Sequence, residues 1–548
     1  MILDLLNSYA NLLEMSSQIL VFVIIALLST LSPKVKAAHL NVYDPVPGLD
    51  PSPYYDIRVR EKGKDHWIKT FPMITECTDA KNCGFGGIAD HLKNWSNTYV
   101  NFEMKDGFEI EVEVRMLFGN QTISKAVVHP NAAVQDCHWQ DGKAYVTISK
   151  PGLFAIDING QMDDQDTGKI PKTRGYYDGP PIHTVTIFAN PFIEDKPSLE
   201  DEGVYQVNPG EVPPSEGIWH TLYFLPGLHD LGLSFRLHSN KSYYIPGDAL
   251  VYATLNNQDD WDDGHDIYIY GHGTLSGERY PHPNDENPPV PEKQFWTHSP
   301  VRIRGAFNTK VEGITIINSA FHSVHTIATY DPSRPTDLKW LKIFTWRANG
   351  DGIGSHANDL MEDCFVRTQD DSFYVTGRGM RRNVIWNDSN GSAWVFSHIG
   401  QKTMNTHDVG IEDCTVIYAR AHWHHWSGGN IFNMRSKGEG EGGYTVYFRN
   451  IKVEDPRPTL QAFKLFMEAL EPYGHDEKRG PGDLHGIIFE NVTIAAPSVL
   501  DEPDILWGTE DALIYGLQFY NVKIGDKRIE GIDDFLHNEY VFDNKPTL

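Results

Sequence analysis

Apolar and polar positions alternate strictly along much of the chain, and the alternation defines its elements. In Phe108-Glu109-Ile110-Glu111-Val112-Glu113-Val114 the glutamates fall on one face and the apolar side chains on the other, the period-2 signature of a half-buried antiparallel strand. Tyr99-Val100-Asn101-Phe102, Ala144-Tyr145-Val146-Thr147-Ile148 and Val185-Thr186-Ile187-Phe188 repeat that signature. Together they predict a β-sandwich over residues 38–208. Residues 209–217 lie in the Pro/Gly-rich stretch Asn208-Pro-Gly-Glu-Val-Pro-Pro-Ser-Glu-Gly217, which reads as a linker between domains.

Past residue 218 the period changes. Phe448-Arg-Asn450-Ile451-Lys-Val453, Phe489-Glu-Asn491-Val492-Thr-Ile494 and Phe519-Tyr-Asn521-Val522-Lys-Ile524 share the pattern apolar-x-Asn-apolar-x-apolar. Weaker copies stand at Val311-Glu-Gly313-Ile314-Thr-Ile316, Met361-Glu-Asp363-Cys364-Phe-Val366, Asn383-Val384 and Ile411-Glu-Asp413-Cys414-Thr-Val416. Short strands that follow Asn, Asp or Gly and recur every few tens of residues are what a parallel β-helix requires. Each coil buries its apolar side chains on the coils above and below, and the turn residue satisfies its own backbone. A second sandwich would need two-residue Asn-Gly or Asp-Gly hairpins, which do not join these strands. The fold class expected is therefore all-β, with a parallel β-helix over residues 218–548.

Composition narrows the function. Lys+Arg number 47 against 74 Asp+Glu, a net charge of −27. Such a surplus repels phosphate backbones and anionic headgroups, and no basic stripe offsets it, so nucleic acid and membrane surfaces are excluded as partners. The apolar run Ile19–Leu28, followed by Val35-Lys36-Ala37, is too short for a membrane span and reads as a signal peptide over residues 1–37; the stretch before it carries Asp4 and Glu14 and no positive charge, which leaves a start at Met15 or a retained anchor as the alternatives. A secreted, extracellular protein and a monomer are expected. Sequons at Asn94, Asn120, Asn240, Asn387, Asn390 and Asn491 fit glycosylation on that route. Five scattered cysteines give neither a disulfide framework nor a zinc site. Cys364 and Cys414, at one register but with the Asn383 coil between them, are expected to be buried and unpaired.

The candidate chemistry lies in Asn349-Gly350-Asp351-Gly352 and Gln369-Asp370-Asp371-Ser372. Asp351 and Asp370 are 19 residues apart, about one coil, so three carboxyls can converge on one patch. Glycosidic hydrolysis needs a protonated carboxyl to donate to the leaving oxygen and an ionised one to activate water, and crowding of like charges keeps one proton on such a patch. Solvated turns carry the same residue types, as Asp259-Asp260 and Asp262-Asp263 do. In Ala421-His422-Trp423-His424-His425-Trp426 the indole faces of Trp423 and Trp426 suit a sugar platform, or else pack in the core. No carboxylate or cysteine joins those histidines at a metal-ligand spacing. No metal and no cofactor is expected, because no phosphate loop or Ser-His-Asp order is present.

Tyr270-Gly271-His272-Gly273-Thr274-Leu275-Ser276-Gly277-Glu278, the Asp351 segment with Asp370-Asp371, and Gly516-Leu-Gln-Phe-Tyr-Asn-Val-Lys-Ile-Gly525 resemble glycoside hydrolase family 49, the dextranases and isopullulanase. The likeness spans most of the chain. It implies a β-sandwich joined to a right-handed parallel β-helix, and an α-glucan polysaccharide cleaved with inversion. By position it implies Asp370 as general acid, with Asp351 and Asp371 holding or activating water. Two positions depart from the family pattern: Gln369 stands where the family has Asn, and Ser372-Phe373-Tyr374 where a Lys follows. Family 28, the polygalacturonases, has a related aspartate arrangement followed by a His and an Arg-x-Lys. Here Ser397-His398 and Arg435-Ser-Lys437 are the matching substrate-binding candidates, or else a surface histidine and a solvated turn. A polygalacturonase and a non-catalytic carbohydrate-binding β-helix are the alternatives.

Overall fold

The computed structural model describes residues 39–76, 96–162, 183–214, 217–257, 264–286, 290–327, 336–347, 349–354, 359–375, 378–388, 391–396, 409–420, 430–434, 445–458, 460–467, 483–499 and 501–546. The signal-peptide reading of residues 1–37, Cys77, Cys83, and the sequons Asn94 and Asn390 lie outside them. Among the described residues no helix is long and apolar enough to cross a membrane.

Two sheets form the N-terminal sandwich. One contains Leu40–Val42, Met73–Glu76, Ser96–Met104, Ala126–His129, Gly152–Ile158 and Thr184–Asn190, and the other runs from Ile68–Lys69 through Tyr55–Glu61 and Ile110–Met116 to Lys143–Ile148 and Asp136–Gln140. Alternation decides what each strand buries. In Ile110–Met116 the residues Ile110, Val112 and Val114 enter the core shared with Ile57, Val100 and Phe154, while Glu111 faces out and pairs with Arg60 at 2.7 Å.

Thr184–Asn190 is buried along its whole length, because this sheet is covered on both faces. Val185 and Ile187 point into the sandwich. Phe188 points away from it and joins Tyr99, Phe344, Phe365, Trp386 and Tyr418 in a cluster that binds the sandwich to the β-helix.

The β-helix is built of parallel strands in three columns. Thr309–Glu312, Thr336–Lys339, Asp359–Glu362 and Gly379–Arg381 stack in the first. Thr315–Ile317, Lys342–Phe344, Phe365–Thr368 and Val384–Asn387 stack in the second. Val324–Ile327, Ile353–Gly354, Phe373–Tyr374 and Trp394–Val395 form the third.

The repeated Asn or Asp is the turn between the first and second columns. Asp363, Asp413, Asn450, Asn491 and Asn521 all have φ between 54° and 56°, the left-handed region these residues tolerate because their side chains bond locally. Stacking these turns makes an exposed amide ladder: Asn450 Nδ2 donates to Asp413 Oδ1 (2.9 Å), Asn491 to Asn450 (3.2 Å) and Asn521 to Asn491 (2.9 Å). Outside it, Lys339, Glu362, Arg381, Glu412, Arg449 and Glu490 alternate in sign at one register, with contacts of 2.8–3.8 Å. Exposed pairs contribute at most about 1 kcal/mol each, so the ladder selects register more than it adds stability. Inside, Phe448, Phe489 and Phe519 stack at 5.2 and 5.4 Å.

Two expectations need correction. Val204–Val207 already pairs in parallel with Thr221–Phe224, so the solenoid sheet begins before residue 208 rather than at residue 218. At the Asn383 coil the left-handed residue is Arg382 (φ 56°). Asn383 is instead buried, accepting from the Cys364 N–H at 2.9 Å and donating to the Met361 carbonyl at 3.1 Å. Cys364 and Cys414 are buried free thiols, both pushed up to about 12, chiefly by burial.

Candidate active site

The three aspartates sit where the second column turns into the third. Backbone bonds stack these turns: Ser323 N–H donates to the Asp351 carbonyl (2.9 Å), Gly352 N–H to Asp371 (2.8 Å) and Ser372 N–H to Ser392 (2.8 Å). Asp351 therefore stacks on Asp371, one coil being 20 residues here as Ile353 pairs with Phe373. Asp370 stands one position earlier, beside Gly350.

Glycines make that stacking possible. A Cβ on Gly352 would lie 2.4 Å from the Ser372 carbonyl oxygen, and one on Gly391 2.0 Å from both the Asp370 carbonyl carbon and the Asp371 nitrogen. Real side chains cannot approach backbone so closely, so neighbouring coils close on these residues.

Asp351, Asp370 and Asp371 are buried, and one carboxylate oxygen of each lies within 4.8 Å of the others. Each is oriented. Asp370 Oδ2 accepts the Asn349 N–H (3.2 Å) and its Oδ1 the Asp371 N–H (3.0 Å). Asn349 turns its amide there from the left-handed region, at φ 55°. Asp371 Oδ1 accepts the Ser392 N–H at 2.8 Å. Asp351 Oδ2 accepts the Tyr374 hydroxyl at 2.5 Å and lies 3.3 Å from His322 Nδ1. Burial and then the negative field of Asp351 raise the Tyr374 phenol well above its ordinary value, so it remains a donor.

Several of these groups carry no signal in the sequence. Asn387, a sequon residue, is fully buried, and its Nδ2 donates to the Asp370 carbonyl (2.8 Å) and lies near Thr368 Oγ1 (3.3 Å) and Ser372 Oγ (3.2 Å). The sequon residue Asn387 is thus enclosed, whereas Asn491 is exposed on its turn. His322 leads outward to Trp296, a partly exposed indole 4.7 Å from it that stacks on His325 at 3.8 Å. Trp423, Trp426, His398 and Arg435 lie outside the described residues.

Three carboxyls brought this close together are the residue types that general acid–base hydrolysis uses. Among the described residues the same trio has the spacing to hold a cation.

No protein-family model matches the chain, and no curated protein sequence matches it. Among solved structures it is similar to Dex49A from Penicillium minioluteum, with a TM-score of 0.65 at 15 % identity over 90 % of this chain and 92 % of that one. A polygalacturonase from Erwinia carotovora ssp. carotovora aligns over 59 % of this chain and 88 % of its own at 15 % identity, but with a TM-score of only 0.38. The resemblance to glycoside hydrolase family 49 is thus met by a shared fold, and the chain has the architecture of Dex49A, a β-sandwich followed by a right-handed parallel β-helix.

Proposed function

We propose that the protein is a secreted glycoside hydrolase that cleaves α-glucosidic bonds in a neutral glucan of the dextran or pullulan type. The observation that carries this reading is the convergence of three buried, individually oriented carboxyls within 4.8 Å on the wall of a β-helix. Asp370 is the general acid, assigned by the family resemblance and supported by its being the most exposed of the three, at 7 % against 3 % for Asp351 and 5 % for Asp371. Asp371 and Asp351 hold the attacking water, Asp351 being fixed by Tyr374 and His322.

A neutral chain is favoured over polygalacturonate because a net charge of −27 opposes an anionic polymer. Recognition of a glucan instead needs aromatic faces and hydrogen bonds. The purified protein is expected to release reducing ends from dextran or pullulan at mildly acidic pH. Cleavage of polygalacturonate alone would reverse the substrate choice. Ultraviolet-absorbing unsaturated products lost on chelation would replace hydrolysis by calcium-dependent elimination.

The resemblance implies inversion. We assign inversion, with the water held by the Asp351–Asp371 pair. Early proton NMR of the product anomer decides, because a retained anomer requires a covalent intermediate.

A further inference from the structure

The sandwich lies against the outer face of the second column, the column whose strands lead into the aspartate turns, and several buried polar contacts cross the seam, Trp346 Nε1 to Thr75 Oγ1 and Lys342 Nζ to Asn190 Oδ1 among them, each at 2.8 Å. Arg367 makes another of these contacts. Its Nη1 donates to Thr184 Oγ1 at 2.6 Å and lies 3.4 Å from Asn97 Oδ1, both on sandwich strands. Thr184 in turn donates to Asn97 Oδ1 at 2.8 Å. On the solenoid side, Arg367 Nε donates to Asp388 Oδ2 (2.7 Å) and Nη2 to Asp388 Oδ1 (3.2 Å), a fork that Trp386 Nε1 completes at 2.7 Å. The guanidinium lies between the rings of Trp386 and Trp346, 4.0 and 4.8 Å from their centroids.

Arg367 and Asp388 are both fully buried. Such a pair gives little net stability, since desolvation offsets most of the attraction. What it does is fix geometry. Asp388 N–H donates to the Thr368 carbonyl at 2.8 Å, and its neighbour Asn387 holds the Asp370 carbonyl at 2.8 Å. Two residues on, Asp370 begins the carboxylate pair, and Ser392 N–H closes on Asp371 at 2.8 Å.

We infer that the N-terminal sandwich is a buttress of the catalytic centre, with Arg367 as the positioning residue through which Thr184 and Asn97 hold the Asp370–Asp371 turn in its reactive geometry. Its catalytic part rests on the function proposed above. The sandwich then acts by contact with the back of the site, in the manner of the fixed supporting groups that hold reacting atoms to within fractions of an ångström.

Two variants and a rescue test this without relying on activity alone. Thr184→Val removes the shorter of the two sandwich contacts to Arg367 at constant shape and leaves Asn97 in place. Arg367→Met with Asp388→Leu replaces the whole pair by apolar side chains, a change that proteins commonly tolerate in stability. Thr184→Ser restores the hydroxyl.

In protein with a wild-type melting temperature, amide exchange at Asp371 and Ser392 is expected to rise about tenfold or more in the first two variants. With glucan, kcat falls about tenfold or more while KM stays within about twofold; Thr184→Ser behaves as wild type. Unchanged exchange at those amides in folded Thr184→Val and in the double variant would overturn the inference. If wild-type protein cleaves no glucan, the proposed function fails, and the exchange measurement still decides whether the sandwich orders the turn.

Discussion

Gly391 closes directly on the peptide between Asp370 and Asp371: a Cβ at position 391 would stand 2.0 Å from both the carbonyl carbon and the nitrogen of that bond. The coil that follows the aspartates is thus seated on their backbone. Gly391→Ala must push the two coils apart by more than an ångström, and with them the carboxyls. Activity is expected to fall by about 10²-fold, as misplacement on this scale typically produces. Near-normal kcat in a folded Gly391→Ala protein would show that the contact does not set the site.

Tyr374 tests the orientation of Asp351 separately. Tyr374→Phe keeps the ring and removes only the 2.5 Å hydrogen bond to Asp351 Oδ2. Loss of one charge-assisted bond corresponds to about 1.5–3 kcal/mol, so kcat should fall by roughly 10- to 100-fold with the melting temperature little changed. Equal kcat values for the two proteins would remove Tyr374 from the mechanism.

Asn387 should carry no glycan in protein from a glycosylating host, because its amide is consumed under Asp370; peptide mass spectrometry reads this directly. Asn387→Ala leaves the buried Asp370 carbonyl without that donor, at about 1–3 kcal/mol of stability, and lowers activity alongside. A glycosylated Asn387 in active protein contradicts the described packing.

Lys342 sets a pH dependence at the seam. Its ammonium is buried against Asn190 Oδ1 (2.8 Å) and the Gly313 carbonyl, and burial lowers it from 10.5 to about 7. Between about pH 7 and 10.5 the unfolded chain binds a proton that the folded chain does not. Stability from this group therefore rises with pH across that window, and is lowest below pH 7. Lys342→Met lacks the term, so urea midpoints of wild type should gain on the variant from pH 7 to pH 10. Parallel curves would place the titration elsewhere.

Much of this architecture was readable because it rests on local rules. Asn450, Asn491 and Asn521 mark their turns since left-handed backbone favours Asn, and the aspartate pair one coil from Asp351 follows from the coil length. Trp340 and Arg382 occupy the same left-handed turn position without any such mark, because tertiary stacking there overrides residue preference. Thr184, Thr186, Asn97 and Asn190 look like a solvent face, yet all are buried against the solenoid; period-2 alternation reports polarity and not what covers it. Arg367 and Asp388, fully buried as a pair, carry no mark in the sequence of what covers them. Asn387 and Gly391 serve the aspartates from the next coil, a contact that exists only once the coils are stacked.

The central claim is that the Asp351–Asp370–Asp371 cluster hydrolyses an α-glucan with Asp370 as acid, and the most direct measurement is reducing-end release by wild type and Asp370→Asn on dextran and pullulan. The amide keeps the shape and removes the transferable proton. Wild type should release reducing ends from at least one glucan, and Asp370→Asn should be about 10²-fold slower or more at an unchanged melting temperature. Hydrolysis by Asp370→Asn at the wild-type rate would contradict the account.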